Sequence, residues 1–344
     1  MIPPAAPPRH FEPWRESLAR AVTDPAELLG LLDLDPALLP AARRAATRFG
    51  LKVPRGFVEL MRKGDPGDPL LRQVLPLGVE TLPAAGFGPD PVGDLAAARV
   101  PGLLHKYRGR ALLVASGGCA VNCRYCFRRE FPYADEALTP ARLDQAVAGL
   151  AAIPGLEEVI LSGGDPLSLP TARLAALTRR LRALPGLARL RIHTRTPVVL
   201  PERVDPPLTG WLASLPWQRV VVLHVNHPRE VSPALADACA AMARAGATLL
   251  NQSVLLAGVN DDEETLATLS DALFAAGVLP YYLHLLDRVR GAAHFEVPEG
   301  RARALHDGLR RRLPGYLVPR LVREEAGAAY KVPADAGPRP ASRC

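Results

Sequence analysis

Lysine is nearly missing from this chain. Of 42 basic residues only four are lysines, Lys52, Lys63, Lys106 and Lys331, and arginine supplies the rest. Where a lysine persists, a reactive amine rather than a fixed cation is a candidate requirement. Cysteine is also scarce: five in 344 residues do not make a disulfide scaffold. No apolar run reaches the roughly 18 residues of a membrane span. The opening MIPPAAPPRH lacks the basic-then-apolar order of a secretory signal. These absences point to the cytoplasm and against a membrane partner. There is no long Lys/Arg block and no interleaving of basic with aromatic residues, so direct nucleic-acid binding is not expected. The net charge of +7 favours acidic partners in general.

Three of the five cysteines fall in one short segment, SGGCAVNCRYCFRRE: Cys119, Cys123 and Cys126, spaced C-x3-C-x2-C. A structural zinc site takes four ligands, commonly two separated C-x2-C pairs, and no second pair exists here. Two readings remain: an incomplete or interchain zinc site, or an iron–sulfur cube with one iron left open to a non-protein ligand. Cys239 lies in the amphipathic run ALADACAAMARAG and reads as a packed small hydrophobe. Cys344 ends a Pro/Ala/Arg tail and carries no expected role.

Residues 1–10 are Pro-rich and expected to be disordered. Residues 14–65 read as short helices, with Asp24-Pro25 and Asp35-Pro36 as N-cap and first-turn proline pairs. A Gly/Pro-punctuated connection follows over 64–100. Apolar β-branched runs then recur at 111–116, 158–163, 189–194, 219–226, 248–256 and 280–287, and helical stretches lie between several of them. The segment 316–332 reads as one more strand and a Gly/Ala turn leading to Lys331. Buried strands alternating with helices imply a parallel sheet with covered faces. Six units are too few for a closed eight-fold barrel, so a partial (β/α)6 barrel or an open doubly wound sheet is expected. Either gathers ligands at the carboxyl ends of its strands.

The cysteine loop directly follows the first of these strands, and LSGGDPL (161–167) ends the second. Taken alone, LSGGDPL is equally a plain tight turn. Together, the three-cysteine spacing, the aromatic Tyr125 before the last cysteine and the glycine-rich turn are similar to the radical S-adenosylmethionine superfamily. That resemblance implies a [4Fe–4S] cluster on Cys119, Cys123 and Cys126. It also implies S-adenosylmethionine at the open iron, with Gly163, Gly164 and Asp165 receiving the methionine amino group.

CRYCFRREF, SGGDPL, RTPVVLPERV, HVNHPRE, NQSVLLAGVND and HFEVP, spread over residues 100–332, narrow this to a resemblance to the lysine 2,3-aminomutase family. Within it, CAVNCRYCFRREFPY and YYLHLLDRVRGAAHF are most similar to the branch whose product, β-lysine, is destined for elongation factor P. The implied fold is a partial TIM-type (β/α)6 barrel over 101–315, preceded by a helical region and linker (1–100) and followed by a C-terminal extension (316–344). The implied activity is isomerisation of L-lysine to β-lysine with the cluster, S-adenosylmethionine and pyridoxal 5′-phosphate.

Lys331 is then the lysine that holds the pyridoxal aldehyde, with Lys106 as its rival, Tyr107 against the ring and Arg110 on the phosphate. The family segment is more often HRYPDR than the LHKYRGR found here, which leaves Lys106 and Arg108 open as contacts. Arg128 aligns with the arginine that binds the substrate carboxylate. Asp287 and Glu324 fall where lysine-specific members carry acids for the distal ammonium, although aspartate is commoner at the second position. Asn226, His227 and Gln252 are candidate contacts to S-adenosylmethionine. Expected partners are lysine, an electron donor such as flavodoxin or ferredoxin, and a pathway link to elongation factor P and its lysyl ligase; a homo-oligomer is compatible. Competing readings are an aminomutase acting metabolically on free lysine or arginine, and a non-catalytic iron–sulfur redox sensor.

Overall fold

The computed structural model describes residues 13–335; the expected N-terminal disorder and Cys344 lie outside them. Ten strands form one sheet in chain order: β1 (Ala98–Val100), β2 (Leu103–Tyr107), β3 (Arg110–Ser116), β4 (Glu158–Gly163), β5 (Arg189–Thr194), β6 (Gln218–Leu223), β7 (Ala247–Val254), β8 (Leu279–His284), β9 (Arg320–Arg323) and β10 (Val332–Pro333). Strands β3 to β9 pair in parallel. The additions at the two edges, β1–β2 and β10, are antiparallel. One sheet therefore runs across both expected boundaries, 100/101 and 315/316.

One hydrogen bond decides between a curved and an open sheet. Tyr107 at the end of β2 donates from Oη to Glu324 Oε1, just past β9, at 2.6 Å. These strands stand seven places apart in the sheet, about 33 Å across a flat one. Side chains meet over that separation only if the sheet curls into most of a barrel. The partial barrel holds, the open doubly wound alternative does not, and the parallel part has seven strands rather than six.

The crossover helices follow from apolar spacing. Leu174, Leu177 and Leu181 line the buried side of Thr171–Leu181. Leu235, Cys239 and Met242 do the same on Pro233–Arg244, so Cys239 is a core residue as its run implied. Asp24 caps Pro25–Leu31 by accepting from Ala26 N. Asp35 instead caps a single 3-10 turn, Pro36–Leu38, before the helix Leu39–Ala46 begins. Side chains of this N-terminal region, Trp14, Leu28, Phe57 and Leu70 among them, share one core with the barrel. Among the described residues no helix is long and apolar enough to cross a membrane.

The end of the expected 64–100 connection, residues 98–100, is instead a strand. With Leu103–Tyr107 it forms the antiparallel β1–β2 hairpin, because Leu103 and Leu104 bury while Gly102, at φ +85°, makes the turn that precedes them.

Candidate active site

The carboxyl ends of the parallel strands open into one cavity of about 560 Å³. Its wall includes the three cysteines, the glycine-rich turn, Tyr107, Arg110, Arg128, Gln252, Asp287, Glu324 and Lys331.

The cysteine loop is held from the N-terminal side. Lys52 donates from Nζ to Cys119 O at 2.9 Å, and Asn122 N donates to Lys52 O at 2.9 Å. Arg124, between two of the cysteines, is fully buried; its Nε and Nη2 grip Glu80, and Nη1 donates to Phe49 O. Arg129 donates to the same Glu80 oxygen at 2.8 Å. Burial outweighed by these two arginines leaves Glu80 below its ordinary range, as a buried acid with paired cations should be.

All three thiols are free. Burial, with the neighbouring thiols and Asp165 adding to it, lifts Cys119 well above the ordinary range, and burial pushes Cys126 up to about 11. Ligand thiolates form only against a bound metal under such conditions. No group of three His, Cys, Asp or Glu among the described residues converges as a single ion requires. Three separate thiols facing one cavity fit a cube, whose cysteine-bound irons occupy different corners.

The glycine-rich turn is shaped by close approach. Gly163 has φ +113°, and a Cβ on Gly164 would lie 2.4 Å from Gly118 O, so only glycine brings this turn against the cysteine loop. Asp165 is not free to receive an amino group. Its Oδ1 accepts from Leu167 N and Thr194 Oγ1 at 2.9 and 2.7 Å, and its Oδ2 from Arg195 N and Thr196 N at 2.7 and 2.9 Å. It pins β4 to the end of β5, and its expected ligand role is corrected accordingly. Asn226 and His227 are likewise not on the cavity wall. Asn226 bonds Tyr125 Oη, Gln73 Oε1 and Val254 N, and His227 Nδ1 caps Arg229 N.

Gln252 does face the cavity, from within β7, and its Nε2 is buried without a partner. His193, His224 and His284 line the same wall, each with an unpartnered buried Nε2. Burial depresses all three, His224 to about 4, so they are neutral. Four unsatisfied buried nitrogens mark a wall built for a polar guest. Sequence reading missed the histidines. The signal was the alternation of Arg191 and His193 with Leu190 and Ile192 on β5, which places polar groups on the inner face.

Lys331 and Glu324 stand opposite each other because of the hairpin register. Val332 pairs with Arg323, so one step towards the turn sets Lys331 against Glu324. Their ion pair is 2.6 Å long, and Lys331 Nζ lies 5.9 Å from the Tyr282 ring centroid. Burial would raise the Glu324 carboxyl, but Lys331, Tyr107 and Lys106 hold it below its ordinary range. Asp287 lies three residues beyond β8 rather than at its end. Burial, with Glu324 adding to it and Lys331 opposing, pushes Asp287 up to about 7. Arg110 stacks over the Tyr107 ring at 4.7 Å and has no ion pair among the described residues. Lys106 is committed elsewhere, 2.6 Å from Asp94 and 3.5 Å from Glu324. Asp94, also missed from sequence because 64–100 reads as connection, meets Arg128 Nε at 2.6 Å.

A partial barrel with three thiols on the loop after its first parallel strand is the architecture of a radical S-adenosylmethionine protein, and a family model described as the radical SAM superfamily matches residues 113–269. That membership implies a [4Fe–4S] cluster and S-adenosylmethionine. The chain is 50% identical over 325 residues to the L-lysine 2,3-aminomutase of Escherichia coli, covering 94% of this chain and 95% of that one. It is 45% identical to the L-lysine 2,3-aminomutase of Haemophilus influenzae, covering 94% and 96%. It is 33% identical to that of Clostridium subterminale, covering 93% and 77%. The chain belongs to the lysine 2,3-aminomutase family and is a radical SAM isomerase.

Proposed function

We propose that this enzyme converts L-lysine to β-lysine by migration of the amino group from C2 to C3, with pyridoxal 5′-phosphate on Lys331, and that the β-lysine is used to modify elongation factor P. The observation that carries this reading is the composition of one cavity: three thiols, an amine, a cation for a carboxylate and two acids for an ammonium share its wall. Its branch within the family rests on the sequence likeness around the cysteine loop and 281–295.

When bound, the cluster with S-adenosylmethionine supplies hydrogen-atom abstraction and return, and pyridoxal phosphate supplies the conjugated system on which nitrogen migrates. The chain's own residues then have separable tasks. Cys119, Cys123 and Cys126 hold the cluster. Gly163, Gly164 and Gln252 border the S-adenosylmethionine side, where the neutral histidines add donors without adding charge. Lys331 offers its amine to the pyridoxal aldehyde. Arg110, which has no ion pair among the described residues, is the cation for the phosphate, and Tyr107 borders the ring.

Arg128 presents its guanidinium to the substrate carboxylate, and Asp287 with Glu324 receives the distal ammonium. Holding both ends of lysine fixes which hydrogen faces the radical source, which is the orientational part of the rate enhancement. A flavodoxin- or ferredoxin-like protein is the electron donor in this reading.

Borohydride reduction of the enzyme loaded with pyridoxal phosphate should leave the pyridoxyl group on Lys331 in a peptide map; its appearance on Lys106 refutes the assignment. Intact-mass analysis of elongation factor P from cells lacking this gene should show loss of the β-lysyl increment; unchanged elongation factor P removes the pathway half of the proposal.

The raised Asp287 acid gives a pH dependence. Lysine's ammonium is charged throughout the neutral range, so binding improves as Asp287 loses its proton. The KM for lysine should fall roughly tenfold from pH 6 to pH 8 for a group titrating near 7. Asp287→Asn should raise KM and flatten the profile. A flat wild-type profile contradicts the role given to Asp287.

A further inference from the structure

The turn 90–95 lies before the sheet begins, yet it reaches both ends of the site. Asp90 closes it, with Oδ1 accepting from Asp94 N at 2.9 Å and Oδ2 from Leu95 N at 3.0 Å. Gly93 takes φ +66°, and a Cβ there would stand 3.0 Å from Ala326 Cβ. The turn thus packs directly on the loop between Glu324 and Lys331. From this position Asp94 enters the cavity wall, 2% exposed.

Its carboxylate is divided between two cations. Oδ2 accepts from Arg128 Nε at 2.6 Å, and Oδ1 faces Lys106 Nζ at 2.6 Å. Burial would raise this acid, but Arg128 and Lys106 outweigh it and keep it ionised. Arg128 Nη1 donates to Ser162 Oγ at 3.1 Å and to Gly163 O at 3.4 Å. Two of the three guanidinium nitrogens are therefore fixed, and Nη2 carries no hydrogen bond among the described residues. A guanidinium binds a carboxylate through either its Nε–Nη2 side or its Nη1–Nη2 end. Asp94 takes Nε on the side, and Ser162 with Gly163 takes Nη1 at the end, which leaves Nη2. Lys106 also donates to Val92 O at 2.8 Å and lies 3.5 Å from Glu324 Oε1. One run of alternating charge, Arg128, Asp94, Lys106, Glu324 and Lys331, thereby joins the two poles of the cavity.

We propose that Asp94 is a positioning residue that sets the rotation of the Arg128 guanidinium, so that its open Nη2 meets the substrate carboxylate. Through Lys106 it also fixes the separation between that nitrogen and the acid end. The enzyme's preference for an α-amino acid over a simple diamine then depends on Asp94, a residue whose two carboxylate oxygens are both taken by cations. The proposal rests on Arg128 being the carboxylate ligand.

The test is an equilibrium titration of cofactor absorbance in enzyme carrying cluster and pyridoxal phosphate. The two probes are L-lysine and 1,5-diaminopentane, which has both amines and no carboxylate. Asp94→Asn should weaken lysine roughly tenfold or more, the scale of a charged hydrogen bond, and leave diaminopentane within about twofold. Asp94→Glu should recover part of the lysine affinity, and in turnover KM should rise more than kcat falls. Arg128→Met should abolish the preference outright.

Wild-type-like binding of both probes by Asp94→Asn overturns the proposal, and equal weakening of both reduces Asp94 to a structural role. Should Asp94→Asn not fold, Asp94→Glu decides alone: lysine weakened with diaminopentane unchanged supports the proposal, and both unchanged overturns it. If Arg128→Met keeps the lysine preference, the carboxylate assignment itself fails and the proposal falls with it, a result distinct from failure at Asp94 only.

Discussion

Glu324 accepts from Tyr107 Oη and from Lys331 Nζ, each at 2.6 Å. The first bond crosses the gap between β2 and β9 of a sheet that is not closed by strand pairing. The second holds the amine on the inner side of the β9–β10 turn. Without this carboxylate the cavity would lose the group that keeps its two edges in register, and Lys331 would be a surface lysine on a hairpin. A carboxylate buried to this degree persists only because charged and hydrogen-bonded partners surround it.

The same logic extends outward from Glu324. Lys106 couples it to Asp94, and Asp94 couples to Arg128 beside the last cysteine. Charges alternate in sign along this path, so each desolvation cost is offset by a neighbour, and removing any one member would leave another buried and uncompensated. A second buried cluster, Glu80 with Arg124 and Arg129, secures the cysteine loop from below. Cluster loop and amine are thus fixed by two separate sets of ion pairs. The three neutral histidines fill the wall between them and add no net charge where an uncharged radical step would take place.

Much of this was legible in the sequence because it is local. The cysteine spacing, the helix caps and the apolar runs each depend on neighbours within one element, and the strands appear where the runs predicted. Lysine scarcity flagged four lysines, and the family resemblance narrowed them to Lys331 with Lys106 as its rival; the fold gives Lys106 two acids and places Lys331 across from Glu324. Most of what sequence reading missed depends on partners far along the chain. Asp165 looks like an exposed turn acid until β5 arrives to occupy both oxygens. Asn226 and His227 look like strand-end ligands, but the chain bends and spends them on Tyr125 and on a 3-10 turn. Asp94 sits in a stretch with no periodicity, and its importance comes from Arg128, 34 residues away.

The central claim is that one cavity holds lysine by both ends while its α-amino nitrogen moves to the adjacent carbon. It is tested most directly with L-lysine carrying ¹⁵N at the α-amino group, incubated anaerobically with the enzyme, a low-potential reductant, S-adenosylmethionine and pyridoxal phosphate. The account predicts β-lysine with the label retained on C3. Label released to solvent, or lysine recovered unchanged while S-adenosylmethionine is cleaved, would contradict it.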